Sequence, residues 1–479
     1  VEVKMMLRVV LAGALLGVGA CAGAQVTLSA NDQPLARDVF KTLIETNTTH
    51  STGSTTAAAE KMRDLLLKNG FPAGDMEVVG PNDKRMNLVV RYRAPHPEAK
   101  PVLTIIHLDV VEARREDWTV DPFVLTEKDG YFYGRGTQDV KSGDAAFVTS
   151  FILLKRAGFV PKRDFILALT ADEEGGSDNG VEWLVKNRPD LVTAAFVINP
   201  DAGGLELKDG RPVEMDLEAT EKTYADFALT ATNPGGHSSR PVPDNAIYAV
   251  ADALGRLERT PFPAELNPVT RAYYEAEEKL ATDDRKTLIA GVLAMPMDMA
   301  AAEELSKDPA DNASLHTTCV ATMMQAGHAV NALPGSASAN VNCRILPGHS
   351  AEDVRQRLVA IVNDPRVTVA YKDEGGKLYA TAPARLAVKP PPPIEDVMKP
   401  LRAVTDAMWP GVPIVPTMES GASDSIYTSA AGMPSYGCSG MGIDEDDDRA
   451  HGRDERLRVG AYYQGVEFTQ RFVKAIGEE

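Results

Sequence analysis

The chain has 479 residues, of which 44% are hydrophobic and 25% charged, globular proportions that exclude a disordered or collagen-like polymer. That length exceeds one ordinary core and predicts two domains. With 50 Lys and Arg against 68 Asp and Glu, the net charge is −18, which argues against nucleic acid or an anionic membrane as the main partner.

In chain order, Lys4 and Arg8 flank the start of an apolar run from residue 7 to 18, too short for a permanent membrane span. Ala22-Gly23-Ala24 follows with the small residues of a cleavage site, so residues 1–24 read as an export signal. Val18-Gly19-Ala20-Cys21 also approximates a bacterial lipoprotein box, with Cys21 as the lipidated residue. Both routes predict an exported protein, periplasmic or secreted, touching a membrane only through a lipid on Cys21. Of the other cysteines, Cys319 and Cys343 lie on neighbouring predicted strands and could pair, but the expectation is buried free thiols there.

Residues 55–69 have the apolar spacing of an amphipathic helix, with Gly70 as its stop. Three apolar runs, 102–106, 165–169 and 194–198, then alternate with helical stretches at 143–157 and 181–186. This alternation predicts an α/β domain with a largely parallel sheet flanked by helices. Beyond residue 220 the pattern changes to strands at 224–232, 317–324, 336–346 and 367–371 with helices at 245–258 and 351–362. That is a separate α+β unit, carrying a polar helical insertion between residues 261 and 315. Lys389-Pro390-Pro391-Pro392-Pro393 reads as a stiff return linker, after which a helix at 394–409 and a strand at 432–437 resume the first pattern. The second unit, 220–388, therefore interrupts a first one made of 25–219 and 389–479.

Acidic and imidazole groups follow each of the three apolar runs directly: His107 and Asp109, then Glu173 and Glu174, then Asp201. Ligands of open α/β sheets bind at the carboxyl ends of strands, so these groups are expected at one sheet edge. Asp139 lies in a glycine-bearing loop before a helix, and His451 in a polar loop far downstream. So many carboxylates at one edge repel unless cations join them, and a mixed imidazole and carboxylate set suits zinc, with cobalt or manganese as alternatives.

The segments His107-Leu108-Asp109-Val110-Val111, Gly134-Arg135-Gly136-Thr137-Gln138-Asp139-Val140-Lys141, Asp172-Glu173-Glu174-Gly175-Gly176, Gly235-Gly236-His237-Ser238-Ser239 and Ala450-His451-Gly452-Arg453-Asp454-Glu455-Arg456 resemble the M20 family of metallopeptidases. The stretches Asn331-Ala332-Leu333-Pro334 and Arg344-Ile345-Leu346-Pro347-Gly348 are most similar to its carboxypeptidase S branch. The resemblance implies a catalytic domain interrupted by a lid of dimerisation type. It also implies two divalent ions bridged by Asp139, with His107 and Asp201 on one and Glu174 and His451 on the other. Asp109 is expected to hold the His107 imidazole, Glu173 to act as general base on metal-bound water, and His237 to donate to the oxyanion. Asn331 and Arg344 match residues that grip a substrate carboxylate, and a homodimer through the lid is expected to complete the site.

Two departures stand out: Lys141-Ser142-Gly143 replaces Lys-Gly-Gly, and Ser425-Ile426 follows Asp424 where an arginine is common in the family. A cis peptide is expected at Asp139–Val140. The function implied is an exopeptidase cutting the amide next to a C-terminal amino acid, with an N-acyl-amino-acid amidohydrolase as the alternative. A non-catalytic binding protein of the same fold would have lost a ligand or the base, and every such position is filled.

Overall fold

The computed structural model describes residues 26–175, 178–373, 375–383, 393–421 and 423–479. The export signal with Cys21, Gly176, residues 389–392 of the linker and Ala422 lie outside the described residues. Among the described residues, no helix is long and apolar enough to cross a membrane.

The centre of the main sheet is parallel. Strand Val102–His107 lies between Phe165–Thr170 and Phe196–Asn199, and Ser435–Gly437 continues beyond the last of these. Antiparallel strands flank them: Met76–Val79 and Asn87–Tyr92 on one side, Gly204–Lys208 and Arg211–Glu221 on the other. Among the described residues ten strands share this sheet, with Ile414–Glu419 pairing along Arg211–Glu221.

Central strands buried on both faces need continuous apolar runs, and these residues meet that requirement by alternating between two layers. Val102, Ile106, Leu167, Leu169 and Ile198 pack on one face, against helices that include Lys141–Arg156 and Val459–Glu478. Leu103, Ile105, Ile166, Ala168 and Val197 pack on the other, against Gly180–Asn187.

The second sheet has five antiparallel strands, with Thr223–Thr232 between Ser336–Ile345 and Val367–Lys372, Thr318–Ala326 at one edge and Leu378–Tyr379 at the other. Ser336–Ile345 alternates buried and less buried positions along its length, the signature of a sheet covered on one face. The covering helices are Ala246–Glu258, capped by the Asn245 side chain, and Ala351–Val362, opened by a capping box between Ser350 and Asp353. Four helices between Pro268 and Leu315 bury Tyr274, Ile289, Val292 and Leu305 in a small core of their own. Lys222 is the single residue between strand Arg211–Glu221 of the main sheet and strand Thr223–Thr232 of the second.

One expectation is corrected. Cys319 and Cys343 stand directly opposite on adjacent strands and form a disulfide, rather than two free thiols. Their strand register brings the Cα atoms to 4.1 Å, a proximity the two sequence positions did not reveal. Cys438 is a buried free thiol.

Candidate metal centre

The parallel register carries the three strand ends to one edge. His107 pairs with Thr170, and Thr104 with Ile198, so Glu173, Glu174 and Asp201 leave their strands beside His107. Asp139 enters from the loop before helix Lys141–Arg156, and the Asp139–Val140 peptide is cis. Gly136 in that loop has φ +93° and lies where a Cβ would come within 2.9 Å of the Lys141 side chain, so glycine is required there. His451 arrives from the C-terminal loop with φ 61°.

Asp139 occupies the middle of the cluster. Its Oδ1 lies 3.0 Å from His107 Nε2 and its Oδ2 lies 2.8 Å from His451 Nε2. His107 Nε2 is also 3.4 Å from Asp201 Oδ1, and His451 Nε2 is 2.9 Å from Glu174 Oε2. Ligand atoms of His107, Asp139 and Glu174 all fall within 4.8 Å of one another. All five predicted ligands are therefore brought together, split into the two expected sets by the two oxygens of one carboxylate.

The donor chemistry fits a metal ion. A carbonyl oxygen can only accept, so the 3.0 Å contact between His107 Nδ1 and the Asp109 carbonyl places the ring proton on Nδ1. Nε2 then presents a lone pair to the cluster, and it is a buried atom without a hydrogen-bond partner among the described residues. An imidazole oriented this way is ready to ligate.

Charge accumulates in the metal-free cluster. Burial alone would raise the Asp139 carboxyl, but the two imidazoles in contact with it outweigh that and hold it far below the usual range. The Asp139 hydrogen bond leads the contributions that raise His451 to about 9. Burial pushes Glu174 up to about 8 and Glu173 up to about 10, with nearby Asp201 and Asp424 adding to the rise of Glu173. These shifts measure the cost of gathering carboxylates out of water, a cost that divalent cations offset.

The role expected of the Asp109 side chain is corrected. Its Oδ1 is 3.9 Å from His107 Nδ1, beyond hydrogen-bond reach, and the main-chain carbonyl holds the ring instead. The carboxylate accepts from the backbone N–H groups of Glu173 at 3.2 Å and Glu174 at 3.0 Å. Asp109 thus orients the turn bearing Glu173 and Glu174, and its backbone orients the His107 ring.

Glu455 and Arg135 had no role in the sequence reading, although both stand inside quoted segments. Glu455 is fully buried and accepts from the backbone N–H of Gly136 at 3.2 Å, Gln138 at 2.6 Å and Asp139 at 3.2 Å. Arg135 donates to Glu455 at 2.6 Å and to the carbonyls of His451 at 3.2 Å and Gly452 at 2.8 Å. This pair ties the Asp139 loop to the His451 loop across more than 300 residues, and so sets the spacing of the two ligand sets. Its signal was two charged residues flanking ligands, but their partnership is purely tertiary. On the other side of the cluster, Asp172 takes φ 54° and pairs with Arg85 at 2.8 Å, fixing the turn into Glu173.

The three residues predicted in the second unit lie apart from this cluster. His237 is exposed on the short strand Gly236–His237, which pairs with Ala332–Leu333, and Ser238 N–H donates to the Asn331 carbonyl at 3.1 Å. His237 and Asn331 are therefore neighbours. The Ser239 N–H donates to His237 Nδ1 at 3.2 Å, which leaves the proton on Nε2 as an outward donor. Arg344 lies over the Tyr224 ring at 5.0 Å. Among the described residues, no hydrogen bond or ion pair joins His237, Asn331 or Arg344 to the strand-end cluster.

A two-sided carboxylate between histidines, at the carboxyl ends of parallel strands and beside a half-buried glutamate, defines a metal-dependent hydrolase. The sequence model of peptidase family M20/M25/M40 matches residues 103–475, and the chain belongs to that family. It is 31% identical over 389 residues, 79% of this chain and 74% of the relative, to human N-fatty-acyl-amino acid synthase/hydrolase PM20D1. It is 28% identical to the probable carboxypeptidase S-like 2 of Dictyostelium discoideum, over 81% of this chain and 74% of the relative. The fold matches the M20 family metallo-carboxypeptidase Sso-CP2 of Sulfolobus solfataricus with TM-score 0.63 and 17% identity, covering 92% of this chain and 99% of that one.

Proposed function

We propose that this M20 hydrolase is an exported exopeptidase that binds two zinc ions and cuts the amide next to a C-terminal amino acid. The observation that carries the reading is Asp139, whose two oxygens face different histidines 3.0 and 2.8 Å away. One carboxylate can bridge two cations in that geometry, which imidazole cannot do. His107 and Asp201 would hold one ion, Glu174 and His451 the other. Bound there, the ions supply Lewis-acid polarisation of the scissile carbonyl and make water acidic enough to attack near neutral pH.

The chain's own residues do the rest. Glu173, held beside the cluster by Asp109, takes a proton from the attacking water and delivers it to the leaving nitrogen. Its neighbour Glu174 stays ionised as a ligand, so two adjacent glutamates divide the work. His237, with its proton on Nε2, donates to the developing oxyanion, and Asn331 and Arg344 hold the substrate carboxylate. Residues 220–388 act as the lid, and a homodimer through that lid brings His237 to the site. Export is supported by the apolar N-terminal run and by the Cys319–Cys343 disulfide, a bond that persists in oxidising compartments.

A second reading, hydrolysis of N-acyl amino acids, is favoured by the likeness to the human N-fatty-acyl-amino acid synthase/hydrolase. Both use the same residues on the same amide chemistry. Paired assays of the metal-reconstituted protein on dipeptides and on N-acyl amino acids decide between them. Turnover of neither class by protein carrying two ions defeats both.

A further inference from the structure

Lys222 is a conspicuous charge outside the metal centre. It is completely buried between the two sheets, yet its Nζ has one hydrogen bond, to Thr318 Oγ1 at 3.4 Å. A buried ammonium without an acid is costly, because nothing replaces its hydration. Among the described residues, no acid forms an ion pair with it, and neighbouring carboxylates have other partners. Glu221 accepts from the Ser423 N–H at 2.6 Å, and Glu419 accepts from the Gly421 N–H at 2.7 Å. Asp226 is taken by the Tyr224 hydroxyl at 2.6 Å and by the amides of Asn340 and Asn342 at 2.9 and 3.0 Å.

The strand register brings a second cation to the same place. Arg344 is directly opposite both Thr318 and Tyr224 in the strand register. Lys222 is two residues before Tyr224, on the sheet face that the covering helices leave free, since Ala225, Phe227 and Leu229 supply the opposite face. Arg344 is partly exposed and contacts the Tyr224 ring, with no carboxylate within ion-pair distance among the described residues. Two cations, one sealed and one reachable, thus meet at the junction of the sheets with no ion pair to either among the described residues.

We infer that Lys222 and Arg344 form one anion site, in which Arg344 contacts the free carboxylate of the substrate and Lys222 is the positioning cation behind it. The inference rests on the reading of the protein as a hydrolase acting next to a C-terminal amino acid. Arginine supplies planar, directional donors, while a compact ammonium supplies point charge. A carboxylate on Arg344 removes the repulsion between the pair, so its binding energy includes relief that neither cation gives alone. The Thr318 hydroxyl holds the ammonium in place meanwhile.

The test compares N-acetyl-L-methionine with its carboxamide, using wild type, Lys222→Met and Lys222→Arg. Lys222→Met is expected to raise KM for the acid about tenfold with little change in kcat, a loss of the size of one charge-assisted contact. The carboxamide rate should not move, and Lys222→Arg should recover most of the acid preference. Equal losses on acid and carboxamide, or no loss on either, overturn the inference. Calorimetric titration of the metal-free proteins with the same two compounds decides the matter without turnover. Wild type should bind the acid in preference to the carboxamide and Lys222→Met should lose that preference, whereas an unchanged preference overturns the site. Failure of the metal-loaded wild type to hydrolyse any acyl amino acid or dipeptide would instead defeat the proposed function, leaving the titration to judge the anion site.

Discussion

Where His107, Asp139, Glu174, Asp201 and His451 meet, acids and imidazoles touch at 2.8 to 3.4 Å. Where Lys222 and Arg344 meet, two cations face one hydroxyl and one aromatic ring. Both places concentrate charge of one sign beyond what the protein itself compensates. The strand-end cluster has histidines to share some of its negative charge and, on the proposed function, takes up cations; at the junction no ion pair is formed among the described residues, and on the inference above it takes up an anion. A hydrolase acting beside a carboxylate needs both, metal ions at the scissile amide and positive charge at the terminus of the substrate. The difference is also one of rigidity, since the metal ligands are braced by backbone amides and a buried ion pair, while Lys222 rests on a single 3.4 Å contact.

The largest break in this comparison is removal of the metal ions. A chelator such as dipicolinate should abolish hydrolysis, and zinc, cobalt or manganese should restore it, with two ions per chain by elemental analysis. Next comes Glu173→Gln, expected to lower kcat by about 10²–10⁴-fold, the worth of a positioned acid–base group. Its metal content should stay at two ions, because the proposed ligand set does not include Glu173. A variant that loses turnover and metal together would move Glu173 into the ligand set.

Glu455→Gln tests the brace. It leaves Arg135 buried without its carboxylate and weakens the three amide contacts, so unfolding in denaturant should show a loss of about 3 kcal/mol. Metal affinity should fall about 10- to 100-fold, as for other groups that orient ligands. Unchanged affinity would mean that the ligands set their own spacing.

The smallest effect belongs to Lys222. Burial, followed by Arg344, pushes its amine down to about 8, whereas a free lysine titrates near 10.4. Between those values the unfolded chain binds a proton that the folded chain has lost, so stability rises with pH in that window. The contribution is at most about 1.4 kcal/mol per pH unit. Lys222→Met should flatten the metal-free protein's stability curve between about pH 8 and 10, measured without substrate.

Much of this architecture was legible in residue order. The three apolar runs became the adjacent parallel strands Val102–His107, Phe165–Thr170 and Phe196–Asn199, because buried strands need continuous apolar segments whatever surrounds them. Helix Ala351–Val362 was read with its observed bounds, and the structure shows its start capped by Ser350 and Asp353. The strands Asn87–Tyr92, Gly204–Lys208 and Arg211–Glu221 were not read. The last carries acids at 214, 216, 218 and 221, which obscure any apolar pattern until its sheet neighbours are known.

The sequence by itself carried the motifs of the family and the residue types that the strand ends bring together: His107, Asp139, Glu173, Glu174, Asp201 and His451. These follow from residue type and from spacing along the chain, which survive without coordinates. Only the tertiary structure decided which atoms do the work. It gave His107 a backbone carbonyl instead of the Asp109 carboxylate, joined Arg135 to Glu455, paired Cys319 with Cys343 and left Lys222 beside Arg344 without an acid. Each of these depends on distance between residues far apart in the chain or on the direction of a side chain, and hydrogen bonds and charges act over a few ångströms in space.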